Sequence, residues 1–412
     1  MKVVIATAVY YPMINGVAVF SHNLAVGLAK RGHGVMVICP SQKKRGYTEV
    51  VDGVKVVHLH STNVRVYPDQ IHETKKKFWY KDGFKVSVFP GRAIFRALNK
   101  FSPDVVHVQV SDPIGLSVVS YVRKHNIPVV TTEHNQPEVL TEPLGMPEFI
   151  RKPVNTLLSA YFVNRQSKSD FVTMPTEQAI SNLIWSRGKE FKVPVAAVSN
   201  GVDLSSFKPG RADKEIYEKY DIPSGVPVVL YVGRVDPEKN VGVALEAFAK
   251  FLSRNKVDRL SKTLFVVVGD GVDRMRLIKE AERLGVSDSV RFLGRVLPPD
   301  LYELYKVGDV FLTASEIETQ GIVLIEAAAS GLPLIAVNKG AVSEVCRDGV
   351  NGVLCKPKDV DGISKALDLI LGDEKLQKKY AKKSIEIASE HDFERTLDRF
   401  INIYNKVVNS KE

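Results

Sequence analysis

Short apolar runs, each closed by a turn and followed by a helical repeat, recur along this chain and confine it to layered α/β architecture. Lys2-Val-Val-Ile-Ala6 reads as a buried strand, Tyr10–Gly16 as a loop, Val17–Arg31 as a helix and Val35–Cys39 as the next strand. A strand, helix and strand in that order need a crossover, which gives a parallel pair. Val54–His60, Asp104–Val108, Pro128–Thr132, Asp170–Met174 and Val195–Val198 continue the series, with Thr176 as a helix cap and a helix from Asn155 onward. Asn200-Gly201-Val202-Asp203, then Phe207-Lys208-Pro209, is a turn-rich connector, so one domain is expected over 1–199 and a second over 200–390. The second opens with a charged loop, Ala212–Gly225. Strands at Val228–Val232, Leu264–Val268, Ser289–Leu293, Val310–Thr313 and Leu334–Val337 follow, then helices near Asp359–Leu371 and Glu394–Val408.

Length and composition set outer limits. At 412 residues the chain can fill two or three domain cores. No run approaches the roughly 20 apolar residues of a spanning helix, and the segment after Met1 leads into a glycine turn where a signal peptide would have a cleavage site. Cys39, Cys346 and Cys355 lack disulfide-framework or zinc spacing, which fits a reducing cytoplasm. Residues 1–200 hold 25 Lys and Arg against 14 Asp and Glu, whereas the remainder holds 32 against 33. The basic excess therefore lies in the first half. A membrane surface, a phosphorylated acceptor or nucleic acid would meet it, and solubility alone would also account for it.

Three stretches carry candidate chemistry. Ser315–Gly331 places Glu318 and Glu326 eight positions apart, with Gly321 before the apolar helix Ile322–Ala329. The free N–H groups at such a helix start suit an anion, and the glutamates suit sugar or ribose hydroxyls; a dipole-favouring Glu and a solvated Glu would look the same. Gly233-Arg234-Val235-Asp236-Pro237-Glu238-Lys239-Asn240 sets two cations in a strand-to-helix loop. They form a phosphate clamp unless Asp236 and Glu238 neutralise Arg234 at the surface. Glu133-His134-Asn135 stands at the carboxyl end of a strand, where open α/β sheets bind ligands.

Together these stretches resemble the retaining glycosyltransferases of family 4, whose signature is Glu, seven residues, Glu; the Glu318-Thr319-Gln320-Gly321 version is most similar to members that glycosylate membrane lipids. The resemblance implies the GT-B fold: two doubly wound Rossmann-like domains facing across a cleft, with the terminal helix, 391–412, crossing back to the first. It implies a nucleotide-sugar donor, UDP-glucose first among the candidates, and no metal or other cofactor. Arg234 and Lys239 are assigned to the diphosphate, Glu326 to ribose and Glu318 to the donor sugar. Gly16, Gly233, Gly321, Ile322 and Val323 then lie near phosphates or sugar, Val296 near the base, and His134 acts near the transferred sugar. The residues alone leave glucose, galactose and mannose open.

The acceptor side rests on Lys75, Lys76, Lys77 and Trp79, followed by Arg92, Arg96 and Lys100 at helical spacing. Rings at headgroup depth with cations on lipid phosphates would hold an anionic membrane. The same amphipathic helix would equally pack on the sheet with its charges solvated. The expected partners are a nucleotide sugar and a diacylglycerol-like or phospholipid acceptor at the inner face of the cell membrane, with no nucleic acid. A GT-B transferase for a soluble sugar or sugar phosphate, a nucleotide-sugar epimerase on the same fold, and a non-catalytic sugar-nucleotide binder are the alternatives.

Overall fold

A computed structural model of the chain describes all residues except 12–14, 44, 65–83, 110–112, 135–136, 138–140, 142–145, 186–190, 257–258 and 412. Its contacts divide into two units, Met1–Asn200 with Glu394–Glu412, and Gly201–Phe393.

The first unit contains β1 (Lys2–Ala6), β2 (Gly34–Pro40), β3 (Tyr47–Val51), β4 (Val54–Leu59), β5 (Thr62–Val64), β6 (Phe84–Val86), β7 (Val105–Val108), β8 (Val129–Thr132), β9 (Phe171–Met174) and β10 (Val195–Ala197). Eight of them form one sheet in the order β10-β9-β8-β7-β1-β2-β4-β3, while β5 and β6 pair as a separate ribbon. Every neighbour in the large sheet is parallel except β3 and β4. Helices cover both faces, so the central strands are buried almost throughout, as Val and Ile with His107, Thr131 and Thr132 among them and no alternation of exposed residues. The last helix, Phe393–Asn409, joins this unit from Glu394 on. It buries Phe400 and Tyr404, and Arg31 holds Glu394 and Asp398 at 2.5 Å each.

The second unit contains β11 (Val228–Val232), β12 (Leu264–Val268), β13 (Val290–Gly294), β14 (Val310–Leu312), β15 (Leu334–Val337) and β16 (Gly352–Cys355), in the order β13-β12-β11-β14-β15-β16, all parallel. The chain grows outward from β11 to β13, then returns to β11's other side at β14. Two apolar clusters, one on each face, enclose this sheet.

Several elements differ from the sequence reading, four of them informatively. The helix expected from Asn155 spans Glu148–Gln166 and contains Pro153; its first turns are largely exposed, where water can meet the carbonyl that proline leaves without a donor. Within 212–225, Lys214–Lys219 is helical, anchored by the buried Ile216. Edge strand β3 went unread because it is mostly exposed and shows no core-facing alternation. Glu374–Ala388 is a further helix, capped by Asp373, whose carboxylate accepts from the N–H groups of Lys375 and Leu376. Among the described residues no helix is long and apolar enough to cross a membrane.

Candidate active site

In the second unit, loops leaving the carboxyl ends of β11 to β14 gather at one edge of the sheet. The reversal between β11 and β14 is a topological switch point, where flanking connections diverge and leave room for a ligand. Two of the singled-out stretches meet there. The loop after β11 carries Arg234, Lys239 and Asn240 into the helix Val241–Arg254; the loop after β14 carries Glu316 and Glu318 to the helix Ile322–Ala329.

Lys239 Nζ donates to Glu318 Oε1 at 2.7 Å and lies 3.5 Å from the Ile317 carbonyl. The two side chains are only 16% and 15% exposed, so their charges are far less screened than those of a surface pair. Asn240 Nδ2 reaches the Ala314 carbonyl and Glu316 Oε1 at 3.3 Å each, and Lys339 holds the other Glu316 oxygen at 2.7 Å. These cross-loop bonds tie the two loops into one rigid edge.

Arg234 is placed differently. Its side chain is 62% exposed, and its guanidinium engages Asp236 and, at 2.6 Å, Glu238. The surface neutralisation left open by the sequence is therefore present. Burial nevertheless pushes the Asp236 carboxyl up, against the pull of Arg234. The loop's course is set by a close crossing: Gly269 carries φ +135°, and a Cβ there would lie 1.8 Å from the Gly233 carbonyl oxygen. Only glycine fits. Tyr231 Oη donates to the Arg234 carbonyl at 2.6 Å and pins the loop from beneath.

Gly321 starts the second helix at φ +75°. Leu324 N–H returns to the Gly321 carbonyl at 2.9 Å, while Ile322 and Val323 supply the first N–H groups, which no helix can satisfy internally. Glu326 stands just over one turn in, half-buried. Burial pushes its carboxyl up to about 7, opposed by Tyr305 Oη, which donates to Oε2 at 2.6 Å. Val296 is half-buried two residues beyond Gly294, packed on the apolar cluster.

The first unit places His134 just past β8, 7% exposed, edge-on to Phe20 at 5.4 Å. Its Nε2 donates to Gln109 Oε1 at 2.8 Å, which makes Nδ1 the unprotonated nitrogen of a neutral ring. Burial lowers its pKa to about 3. His107, within β7, lies between Tyr404 Oη at 2.7 Å and Thr132 Oγ1 at 2.6 Å, and burial lowers its pKa to about 3 as well. Gly16 is the exposed first residue of the helix Gly16–Lys30, whose Asn15 cap accepts from Ala18 N–H at 2.9 Å. Arg92 and Arg96 are exposed on the helix Gly91–Phe101, which buries Ile94 and Leu98 in the core; Phe89, just before it, is 96% exposed. Lys75, Lys76, Lys77 and Trp79 lie outside the described residues.

Tyr305, Gln109 and the Glu316–Lys339 pair were missed by sequence reasoning. Nothing local marks Tyr305, which reaches Glu326 across 21 positions. Gln109, at the end of a strand two residues past His107, could have been suspected from its place alone. Among the described residues no group of three His, Cys, Asp or Glu is arranged to hold a metal ion.

Known proteins match in the same two parts. The family described as Glycosyltransferase Family 4 matches residues 14–206, and that described as Glycosyl transferases group 1 matches residues 212–387. An alpha-monoglucosyldiacylglycerol synthase of Streptococcus pneumoniae is 28% identical over 360 residues, covering 86% of this chain and 75% of that protein. The synthase of the same name from Acholeplasma laidlawii is 27% identical over 361 residues, covering 86% and 84%. A GDP-mannose-dependent alpha-mannosyltransferase of Mycolicibacterium smegmatis is 28% identical over 375 residues, covering 89% and 87%. Among solved structures, a sucrose-phosphate synthase of Thermosynechococcus elongatus superposes with a TM-score of 0.76 at 18% identity over the whole of both chains. An Anabaena protein in complex with UDP and glucose superposes at 0.71, with 16% identity over 98% of this chain and all of that one. At such identities these likenesses show the GT-B fold.

Proposed function

The chain belongs to the GT-B glycosyltransferases, family 4 in its first part and group 1 in its second, and from that premise we propose that it moves a hexose from a nucleotide sugar to a membrane lipid, with retention of anomeric configuration. The carrying observation is the sheltered Lys239–Glu318 pair at the switch point of the second unit. Each charge neutralises the other. A donor diphosphate competes for the ammonium, and the sugar hydroxyls then donate to the released carboxylate.

In the transfer, the bond from the anomeric carbon to the diphosphate oxygen breaks and a bond to the acceptor hydroxyl oxygen forms. The hydroxyl's proton leaves with the diphosphate. Negative charge grows on that leaving group, and Lys239, Arg234 and the Ile322 and Val323 N–H groups are the groups assigned to stabilise it. Arg234 reaches it by exchanging Asp236 and Glu238 for phosphate oxygens. Glu326 accepts from the ribose hydroxyls, with Tyr305 holding its other oxygen. These side-chain charges support transfer without a metal, and UDP-glucose is the first donor to try.

The lipid acceptor is supported by two relatives named glucosyldiacylglycerol synthases and by the basic first half. Attachment at the inner membrane face through Lys75, Lys76, Lys77, Trp79, Arg92 and Arg96 follows the same reading. The test offers the purified protein UDP-glucose, UDP-galactose or GDP-mannose with membrane lipid extract, and analyses the products by mass spectrometry. A hexosylated diacylglycerol or phospholipid is expected. Efficient transfer to a soluble sugar with no lipid product would replace this reading by the soluble-acceptor one.

A further inference from the structure

A cavity of about 480 Å³ lies in the first unit over β7 and β8, between the helix Pro113–Lys124 and the end of the helix Glu148–Gln166. Its floor includes Val108 and Leu116, and three cations, Arg123, Arg165 and Lys168, line it. Among the described residues none of the three forms an ion pair; Arg165 lies over the Tyr161 ring at 5.2 Å. Of the nearby carboxylates, Asp170 pairs with Lys411 at 3.0 Å, and Glu133 lies behind Gln166, whose Nε2 donates to it at 2.7 Å. Three cations without an ion pair among the described residues, against the one Glu133 carboxylate behind Gln166, leave the concavity net positive and favour an anion.

A second observation concerns Gln166, which also lines the cavity and is 1% exposed. Its Nε2 donates to the Glu133 carboxylate, which settles the orientation of the amide, since a carboxylate needs the NH₂ end. The other end, Oε1, is buried with no hydrogen-bond partner. A buried acceptor without a donor loses its hydration and gains nothing in return. The chain is therefore set up to receive a hydroxyl or similar donor at this point.

We propose that this cavity binds a phosphate ester of a polyol, with Arg123, Arg165 and Lys168 on the phosphate and Gln166 Oε1 accepting from a polyol hydroxyl. The ester is either free or the head group of a lipid. Ile150, Leu157 and Tyr161 are exposed on the helix face that leads to Arg165 and Lys168, and a lipid-borne head group would lay its chain along that stripe. A free ester would not use it.

The site is tested without any sugar donor, so its failure would leave the glycosyl-transfer reading untouched. The full-length protein is titrated calorimetrically with sn-glycerol 3-phosphate, and separately sedimented with vesicles of phosphatidylglycerol in phosphatidylcholine. Saturable binding to at least one probe is expected, weakened about tenfold, or 1.4 kcal/mol, by Arg123→Gln with Lys168→Gln. Gln166→Leu should weaken it as well; should that variant not fold, the surface double variant decides. Loss confined to vesicles, reproduced by Leu157→Ser, assigns a lipid source, and loss confined to glycerol 3-phosphate assigns a free one. Wild-type protein that binds neither probe, or variants that bind both as the wild type does, would overturn the proposal.

Discussion

The two units share a parallel, doubly wound sheet, yet they treat buried ionisable groups in opposite ways. The first buries His107 and His134 as neutral rings in hydrogen-bonded settings. The second sets carboxylates and a cation at its candidate site, pairing Lys239 with Glu318 and holding Glu326 beside a tyrosine hydroxyl. A neutral ring orients a hydroxyl without attracting ions, whereas a sheltered cation is what a departing diphosphate needs. The difference teaches that one architecture can hold neutral or charged groups, according to which residues are placed near its strand ends.

The sharpest way to break this contrast is to remove the sheltered cation. Lys239→Ala should lower kcat/KM for the donor by about 10²–10³, equivalent to 2–4 kcal/mol, by analogy with loss of one oxyanion donor. Arg234→Ala should act in the same direction. Steady-state kinetics with circular dichroism as a folding control read the effect, and turnover at the wild-type level in both variants would remove the clamp from the mechanism.

Acid should expose the histidines next. Their folded pKa values lie below the ordinary 6.5, so their stabilisation is complete above that value and is lost as pH falls from 6.5 toward about 3. Each should cost up to about 2 kcal/mol at pH 5. His134→Gln should flatten the acid limb of a denaturation series. A limb as steep as the wild type's would show that His134 is not held neutral by burial.

Glu326 runs the other way, because its folded pKa is raised: the native state keeps a proton that the unfolded state releases, so its contribution falls as pH rises from about 4.5 to about 7. Its carboxylate should also bind ribose better once ionised, so the donor KM should rise as pH drops below about 7. Tyr305→Phe removes a bond of about 1–2 kcal/mol to the charged form and should move that inflection upward by roughly one unit. An unmoved KM profile would detach Tyr305 and Glu326 from donor binding. The smallest effect is expected from chelator: activity in excess EDTA should stay near that of the untreated enzyme. Full loss restored by magnesium would replace side-chain stabilisation by metal.

Much of this protein was determined by local patterning. Runs such as Val228–Val232 and Leu264–Val268 are strands because a doubly covered parallel sheet demands continuous apolar residues, and their alternation with helices sets the fold class. Gly233–Asn240 and Ser315–Gly331 marked the two loops because a turn needing glycine beside charged residues is legible within ten or twenty positions. Tertiary structure alone decided which side chains meet. Lys239 faces Glu318 across 79 positions because β11 and β14 are neighbours, and Tyr305 reaches Glu326 because the helices Asp300–Val307 and Ile322–Ala329 pack into one apolar cluster. Tyr404 meets His107 across 297 positions for the same kind of reason. Such pairs follow strand order, and strand order is settled by the packing of whole layers, which no short window of residues contains.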